Sequence, residues 1–155
     1  DSSWSRGQAW GANGYTTVYR YTKDEKFLKH AKNIVNYILT HKNMPEDLVP
    51  YFDYDAPDDS SITNYRDSSA ASLLASALLE LVDYVDDEEA LRYRKAAMTM
   101  LRSLASPAYL ASKDENGHFL LKQATGNYPK DLDLNASLNY GDYYYLEALT
   151  RCKTL

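Results

Sequence analysis

The chain has 155 residues, of which 45% are hydrophobic and 25% charged, and its formal net charge is −5. This composition is ordinary for one globular domain and excludes a largely disordered protein. The negative charge argues against a nucleic-acid partner, because neutralising phosphates needs a basic face, and there is no apolar run long enough to predict a membrane span.

The first two predicted helices span about residues 6–21 and 24–41. Each is preceded by the spacing of a capping box, Ser5 with Gln8 and Thr22 with Glu25, which is typical of a helix start. The second helix carries a stripe of apolar residues at helical spacing: Phe27, Leu28, Ala31, Ile34, Val35, Ile38 and Leu39. Its lysines lie off that stripe, so we expect an amphipathic helix with one solvated face.

The remaining three helices are predicted at about residues 68–85, 87–104 and 140–149. The third is apolar on nearly every side and the fifth is rich in Tyr and Leu, which predicts that both are buried, as is the first. The fourth is amphipathic, with one side formed by Leu91, Met98, Leu101 and Leu104. Buried and amphipathic helices thus alternate, which is typical of an all-α toroid with inner and outer helices. A helical solenoid would alternate in the same way, but no fixed-period repeat favours it.

Two long connections, residues 43–67 and 107–139, lead into the third and fifth helices. Within the second connection, residues 118–122 predict a short strand or hairpin. Loops of this length in a compact domain are usually functional. If the helices alternate in direction, the starts of the first, third and fifth helices lie at one end of the toroid. We expect a ligand to bind at that shared end.

The stretch Trp4-Ser-Arg-Gly-Gln-Ala-Trp10 is the most informative part of the chain. Arg6 and Trp10 are four residues apart, so they share a helix face. An Arg beside an indole can hold a carboxylate while the ring stacks on a sugar. The alternative is a capped helix in which Trp10 belongs to the core and Arg6 bridges neighbouring elements. The 15 tyrosines are open to the same two interpretations, a carbohydrate-binding surface or a core that uses Tyr in place of Phe.

Metal and nucleotide sites are not indicated. The acids Asp53, Asp55, Asp58 and Asp59 lack the Gly and Glu of a calcium-binding EF-hand loop, which favours a solvated acidic loop. The three histidines and Cys152 have no metal-ligand spacing, and no phosphate-binding glycine loop is present. Asp67, which precedes the third helix, is predicted to be an N-cap in preference to a catalytic group.

Several of these segments resemble a known family. They are WSRGQAWG at residues 4–11, RDSSAA at residues 66–71 and YGDYYYLEAL at residues 140–149. Together with shorter matches between them, they resemble the unsaturated glucuronyl hydrolases of glycoside hydrolase family 88 over essentially the whole chain. The Arg-Gly-Gln-Ala-Trp form favours this family over the unsaturated rhamnogalacturonyl hydrolases.

The resemblance implies an (α/α)6 toroid and hydrolysis of the Δ4,5-unsaturated uronic acid that a polysaccharide lyase leaves at a chain end. In this family an Asp general acid protonates C4 of the vinyl ether and water adds at C5, after which the hemiketal opens and releases the remaining sugar. The resemblance implies no metal or organic cofactor and a bacterial cytoplasmic or periplasmic location. The charge and the apolar pattern described above argue against a nucleic-acid partner and a membrane partner.

The resemblance also implies that much of the enzyme lies elsewhere. Six helix pairs need about twelve helices, whereas five are predicted here, and residue 1 is Asp instead of Met. We therefore expect the C-terminal part of a toroid, with the catalytic Asp residues N-terminal to it. A missing N-terminal half, or a second chain, would cover the inner helices.

The family's functional residues match this sequence at Arg6, Gln8 and Trp10, which we expect to bind substrate. The sequence departs from many relatives at Gln123, where they carry His, and at residues 132–137. Both departures lie in the second long connection, which we expect to influence the choice of the sugar that is released. Two other functions remain open, a non-catalytic helical module that binds sugar or another partner and a scaffold that grips a peptide.

Overall fold

The computed structural model describes residues 2–55 and 65–153. Within these ranges there are five α-helices and no β-strand: α1 Ser5–Thr22, α2 Glu25–Thr40, α3 Ser68–Leu81, α4 Asp87–Leu104 and α5 Asn139–Cys152. All five predicted helices are therefore present, and α4 has the predicted bounds. None of the helices in these ranges is long and apolar enough to cross a membrane.

The start of α1 differs from the prediction. Trp4 is the N-cap and provides no side-chain hydrogen bond, while Ser5 already belongs to the helix. The backbone N–H of Ser5 donates to the carbonyl of Phe52 at 2.9 Å, so a tertiary contact satisfies a group that a capping side chain would otherwise serve. The predicted capping box of Ser5 with Gln8 is wrong. The backbone N–H of Gln8 donates to the carbonyl of Trp4, and no side chain caps this end of the helix.

The start of α2 is also capped by a different residue. Asp24 is the N-cap, and its carboxylate accepts the backbone N–H of Lys26 at 3.1 Å. Thr22 remains in α1, where its hydroxyl donates to the carbonyl of Val18. The predicted capping box of Thr22 with Glu25 is therefore wrong, since α1 continues one residue further than expected.

Helix α3 lies at the centre of the structure. All 14 of its residues are buried, and it packs against α1 on one side, α5 on another and α4 behind. Helix α2 packs against α1. The inner helices are thus α1, α3 and α5, and the outer helices are α2 and α4. The inner and outer arrangement inferred from the sequence is confirmed, and the chain forms part of an (α/α)6 toroid.

The outer helices bury one face each. Helix α2 buries Leu28, Ala31, Val35 and Ile38, which follow the predicted stripe. Helix α4 buries Leu101 and Leu104, as predicted, together with Tyr93, Ala96, Ala97 and Met100, and the predicted Met98 is partly buried. Leu91 is 70% exposed, so its predicted place on the buried side is wrong. It lies two residues before Tyr93, and two residues turn a helix by roughly 200°.

The inner helices α1 and α5 are less buried than α3, because only five residues of α1 and three of α5 are buried. Glycine at position 141 allows α5 to approach closely, because a Cβ there would lie 3.1 Å from the Cβ of Ser69. On the flanks away from α3, Tyr21, Tyr143 and Leu146 are more than half exposed. The prediction that the inner helices are mostly buried is therefore correct for α3 and wrong for α1 and α5.

The long connections form irregular backbone pairings in place of strands. Trp4 pairs with Asp53, Leu110 with Leu121, and Ala124 with Ala136, each as an isolated antiparallel bridge. The strand predicted at residues 118–122 is not formed, and a 3-10 turn, Asn116–His118, occupies its first residue. These paired segments cover the ends of the inner helices.

Candidate functional site

The three inner helices begin at the same end of the molecule, as the alternation predicted. Arg6 lies in the first turn of α1 and contacts Asp67, the N-cap of α3. The guanidinium of Arg6 also lies 5.3 Å from the ring centroid of Tyr140, in the first turn of α5. The second long connection reaches the same place, since Arg6 contacts the carbonyls of Thr125 and Gly126.

The guanidinium of Arg6 is held from several directions. Its Nη1 donates to Asp67 Oδ2 at 2.5 Å, to Ser69 Oγ at 3.1 Å and to the carbonyl of Thr125 at 2.8 Å. Its Nη2 donates to the carbonyl of Gly126 at 2.7 Å. Arg6 is only 3% exposed. The structure therefore shows Arg6 bridging neighbouring elements, which was one of the two interpretations of the sequence. A contact between Arg6 and substrate stays a prediction.

Two aromatic rings flank this guanidinium. The Cζ of Arg6 lies 4.9 Å from the ring of Trp4, and the ring of Tyr140 lies near it as well. Such distances permit a favourable interaction between the cation and the electron-rich ring faces. The position of Arg6 therefore depends on groups from α1, α3, α5 and the second connection together.

Asp67 combines two contacts in one carboxylate. Its Oδ1 accepts the backbone N–H groups of Ser69 and Ala70, at 3.1 and 3.2 Å, so the predicted N-cap is confirmed. Its Oδ2 accepts from Arg6. Complete burial raises the pKa of Asp67, and the Arg6 guanidinium opposes that increase. No sequence pattern indicated this ion pair, because 61 residues separate its partners.

Trp10 lies one turn beyond Arg6 on α1. Its indole is 38% exposed, and it contacts Tyr144 edge-on with ring centroids 5.3 Å apart. Tyr140 is the other aromatic neighbour, at 6.4 Å. Trp10 is therefore not a fully buried core residue, and it has ring surface available beside the shared end. The assignment of Trp10 to a pocket wall stays a prediction that this exposure supports.

Gln8 lies on a different side of α1 from Arg6 and Trp10, since two residues turn the helix by roughly 200°. It borders an open depression of about 410 Å³ between α1 and α2. The lining includes Ser2, Asn33, Tyr37 and Asp55. The structure does not bring Gln8 together with the other two predicted site residues, and its role in binding substrate stays a prediction.

The segment 124–136 forms a narrow loop beside Arg6. Ala124 and Ala136 exchange backbone hydrogen bonds of 2.9 and 2.8 Å, and Gly126 donates to the carbonyl of Asp133. Only glycine fits at position 126, because a Cβ would meet the Cβ of Asp133 at 2.7 Å. Gln123, one of the departures from the family pattern, donates its side-chain amide to the carbonyl of Ala108. Arg6 thus binds a loop whose own backbone is tightly paired.

In the described part of the acidic segment before α3, carboxylates bind protein groups. Among the described residues there is no group of three or more His, Cys, Asp or Glu side chains that could hold a metal ion. Asp53 instead accepts the backbone N–H groups of Ser3 and Asp55. Asp58 and Asp59, which belong to the same predicted acidic loop, lie outside the described residues.

The sequence and the structure are similar to those of known unsaturated glucuronyl hydrolases. The unsaturated glucuronyl hydrolase of Formosa agariphila is 43% identical over 155 residues, which are 100% of this chain and 38% of that protein. The crystal structure of an unsaturated glucuronyl hydrolase specific for heparin matches with a TM-score of 0.93 and 44% identity, over 100% of this chain and 42% of that one.

A third match includes a bound sugar. A mutant unsaturated glucuronyl hydrolase from Streptococcus agalactiae, in complex with dGlcA-GalNAc6S, matches with a TM-score of 0.86 and 35% identity, over 98% of this chain and 40% of that one. No protein-family model matches the sequence. The chain spans about 38% of the length of the curated relative named above. With 43% identity over its whole length and the same helical arrangement, the chain belongs to the unsaturated glucuronyl hydrolases of glycoside hydrolase family 88.

Proposed function

We propose that the protein containing this chain removes the Δ4,5-unsaturated uronic acid from oligosaccharides that a polysaccharide lyase has produced. The observation that carries this proposal is the match over 100% of the chain, with a TM-score of 0.93, to an unsaturated glucuronyl hydrolase specific for heparin. The complex of another relative with dGlcA-GalNAc6S supports a sugar substrate. These matches do not specify the released sugar, since one relative is described as specific for heparin and the other is in complex with dGlcA-GalNAc6S.

The proposed reaction is hydration of a vinyl ether. A carboxylic acid protonates C4, water adds at C5, and the hemiketal opens to release the remaining sugar. We propose that the Asp that acts as general acid lies outside these 155 residues. This chain would then provide part of the pocket wall at the shared end of α1, α3 and α5.

Trp10 is the residue best placed to contact the sugar. Its ring is partly exposed, and Tyr140 and Tyr144 support it from α5. A partly exposed aromatic ring beside polar groups suits a sugar ring, which has both apolar faces and hydroxyls. Arg6 lies behind the same wall. We propose that a guanidinium N–H group of Arg6 that does not donate to Asp67, Ser69, Thr125 or Gly126 faces the substrate. For Gln8 the proposal rests on the family resemblance alone.

We further propose that the flanks of α1 and α5 pack against the remaining helices of the ring. Tyr21 on α1 is 78% exposed, and Tyr143 and Leu146 on α5 are 59% and 52% exposed. Large apolar side chains are costly to leave in water, so a partner surface is expected to cover them. The rest of the toroid or a second chain would provide that surface.

The direct test uses the longer protein that contains this chain. Unsaturated disaccharides prepared with heparin and chondroitin lyases should lose their double-bond absorbance on incubation with the enzyme, whereas saturated disaccharides should show no change. The 155-residue chain alone should show no turnover, because the proposed general acid is absent from it. Binding of these sugars by the longer protein without loss of the double bond would instead support the non-catalytic module.

A further inference from the structure

The two oxygens of the Asp67 carboxylate serve different elements. Oδ1 faces the start of its own helix, where it accepts the N–H groups of Ser69 and Ala70 and the hydroxyl of Ser69 at 2.5 Å. Oδ2 faces α1 and accepts from Arg6. The side chain has no solvent exposure. An N-cap needs only the first set of contacts, so the charged contact with Arg6 requires a separate explanation.

The contact with Asp67 determines where the Arg6 guanidinium can rest. A buried guanidinium without a counter-charge is unfavourable, and it would move toward water or toward other acceptors. The carbonyls of Thr125 and Gly126 would then lose their donors, and Tyr140 would lose the cation beside its ring. The loop and the ring both border the proposed pocket, so a change at Asp67 would reach the pocket through Arg6.

We propose that Asp67 is a positioning residue of the hydrolase, which holds Arg6 so that Arg6 aligns Tyr140 and the 125–126 segment at the shared end of the inner helices. The inference rests on the proposed function. Asp67 itself makes no contact with substrate in this proposal. The effect of its carboxylate on activity is distinct from its role as a helix cap. Asn is as good an N-cap as Asp, since its side-chain oxygen accepts the same N–H groups. Asp67→Asn therefore removes the charge while it retains the cap.

The test is a double-mutant cycle on kcat/KM in the longer protein that contains this chain. Asp67→Asn and Arg6→Gln should each lower kcat/KM for an unsaturated disaccharide at least tenfold. The double variant should lose no more than the more severe single variant, because both substitutions interrupt one chain of contacts. A merely structural effect of Asp67 would give losses that multiply, so multiplicative losses would overturn the inference.

Two further variants make the result unambiguous. Asp86→Asn changes the N-cap of the outer helix α4, where Asp86 accepts the N–H of Glu89 at 2.9 Å, and it should leave kcat/KM unchanged. Arg6→Lys keeps the ion pair with Asp67 but cannot reach both carbonyls, since it lacks the planar fork. Its kcat/KM should fall at least tenfold with the fold retained, which tests the inference even if Asp67→Asn does not fold.

The outcomes separate this inference from the proposed function. A wild-type protein that does not hydrolyse the unsaturated disaccharides refutes the proposed function, and the inference with it. An active wild type together with an Asp67→Asn or Arg6→Lys variant within about twofold of it refutes only the positioning role.

Discussion

Tyrosine hydroxyls in this protein donate repeatedly to carboxylates. Tyr37 donates to Asp55 at 2.9 Å, and Tyr109 donates to Asp47 at the same distance. Other tyrosines, such as Tyr54 and Tyr93, lie in the hydrophobic core. The high tyrosine content therefore has more than one cause, because the rings fill the interior while some of the hydroxyls bind acidic groups between elements.

Tyr109 is expected to make stability sensitive to alkaline pH. Burial and the hydrogen bond to Asp47 raise its pKa from 10.0 to about 12. The folded state thus binds the phenolic proton more tightly than the unfolded state does. The resulting stabilisation is complete below pH 10 and is lost as the pH rises through about 12.

Thermal unfolding of the wild type and Tyr109→Phe between pH 9 and about 12 measures this effect. The difference in Tm between them should shrink as the pH rises, because only the wild type has this hydroxyl to ionise. Asp47→Asn should show a smaller alkaline loss than the wild type, since the carboxylate that opposes ionisation is gone. A difference in Tm that stays constant across the range would contradict the assignment.

At the scale of the elements, ion pairs connect the inner helices at both ends. Arg6 of α1 meets Asp67 before α3 at the end with the proposed site. At the opposite end, Glu80 of α3 lies 3.1 Å from Arg20 of α1 and 2.8 Å from Arg151 of α5. Glu80 is 4% exposed in a helix that is otherwise formed by small and apolar residues. One buried carboxylate therefore holds both neighbours of the central helix.

Replacement of Glu80 by Gln should lower the free energy of unfolding by about 1–3 kcal/mol. The loss stays below that of a completely buried pair, because the side chains of Arg20 and Arg151 are 37% and 25% exposed and can be hydrated. Lys26→Gln is the control, since the pair of Lys26 with Asp24 is exposed and should contribute less than about 1 kcal/mol. Urea unfolding with a common m-value measures both, and equal losses would contradict the predicted role of Glu80.

At the scale of the whole molecule, the five helices form an arc whose two flanks, on α1 and α5, expose apolar side chains. Helices α1 and α5 lie on two sides of α3, and each exposes large apolar side chains away from it. On α5 this surface includes a depression of about 390 Å³ lined by Leu146, Leu149 and Cys152, among others. Exposed apolar surface of this kind is typical of an interface. The chain spans about 42% of a relative with the same fold, which agrees with an arc of a larger ring.

Leu146→Gln should have opposite effects in the two forms of the protein. In the isolated 155-residue chain it should reduce self-association and binding of a hydrophobic dye, because Leu146 is 52% exposed there. In the longer protein it should lower the free energy of unfolding by about 1–3 kcal/mol, since a polar group would replace a buried side chain. Light scattering and chemical unfolding provide the two measurements.

Leu91→Gln is the matched control for this experiment. Leu91 is 70% exposed on the outer helix α4, so its replacement should change the free energy of unfolding of the longer protein by no more than about 0.5 kcal/mol. If Leu146→Gln behaves like Leu91→Gln in the longer protein, the flank of α5 remains exposed there, and the proposed packing against the rest of the ring is wrong.

The sequence by itself determined the local features of this protein. The bounds of α4, the complete burial of α3 and the cap at Asp67 follow from periodicity and propensity within a few residues, and the family followed from motifs such as residues 4–11. The alternation of inner and outer helices also placed the starts of α1, α3 and α5 at one end. These features depend on neighbours in the chain, which a sequence pattern contains.

Only the tertiary structure decided which side chains meet across elements. Arg6 reaches Asp67 over 61 residues and Thr125 over 119 residues, and no local pattern specifies such pairs. The start of α1 is a second example, since the carbonyl of Phe52, from a distant segment, accepts the N–H of Ser5 in place of the predicted capping side chain. The physical reason is that the energy of a buried polar group depends on the partners that packing brings to it, and packing is a property of the whole chain.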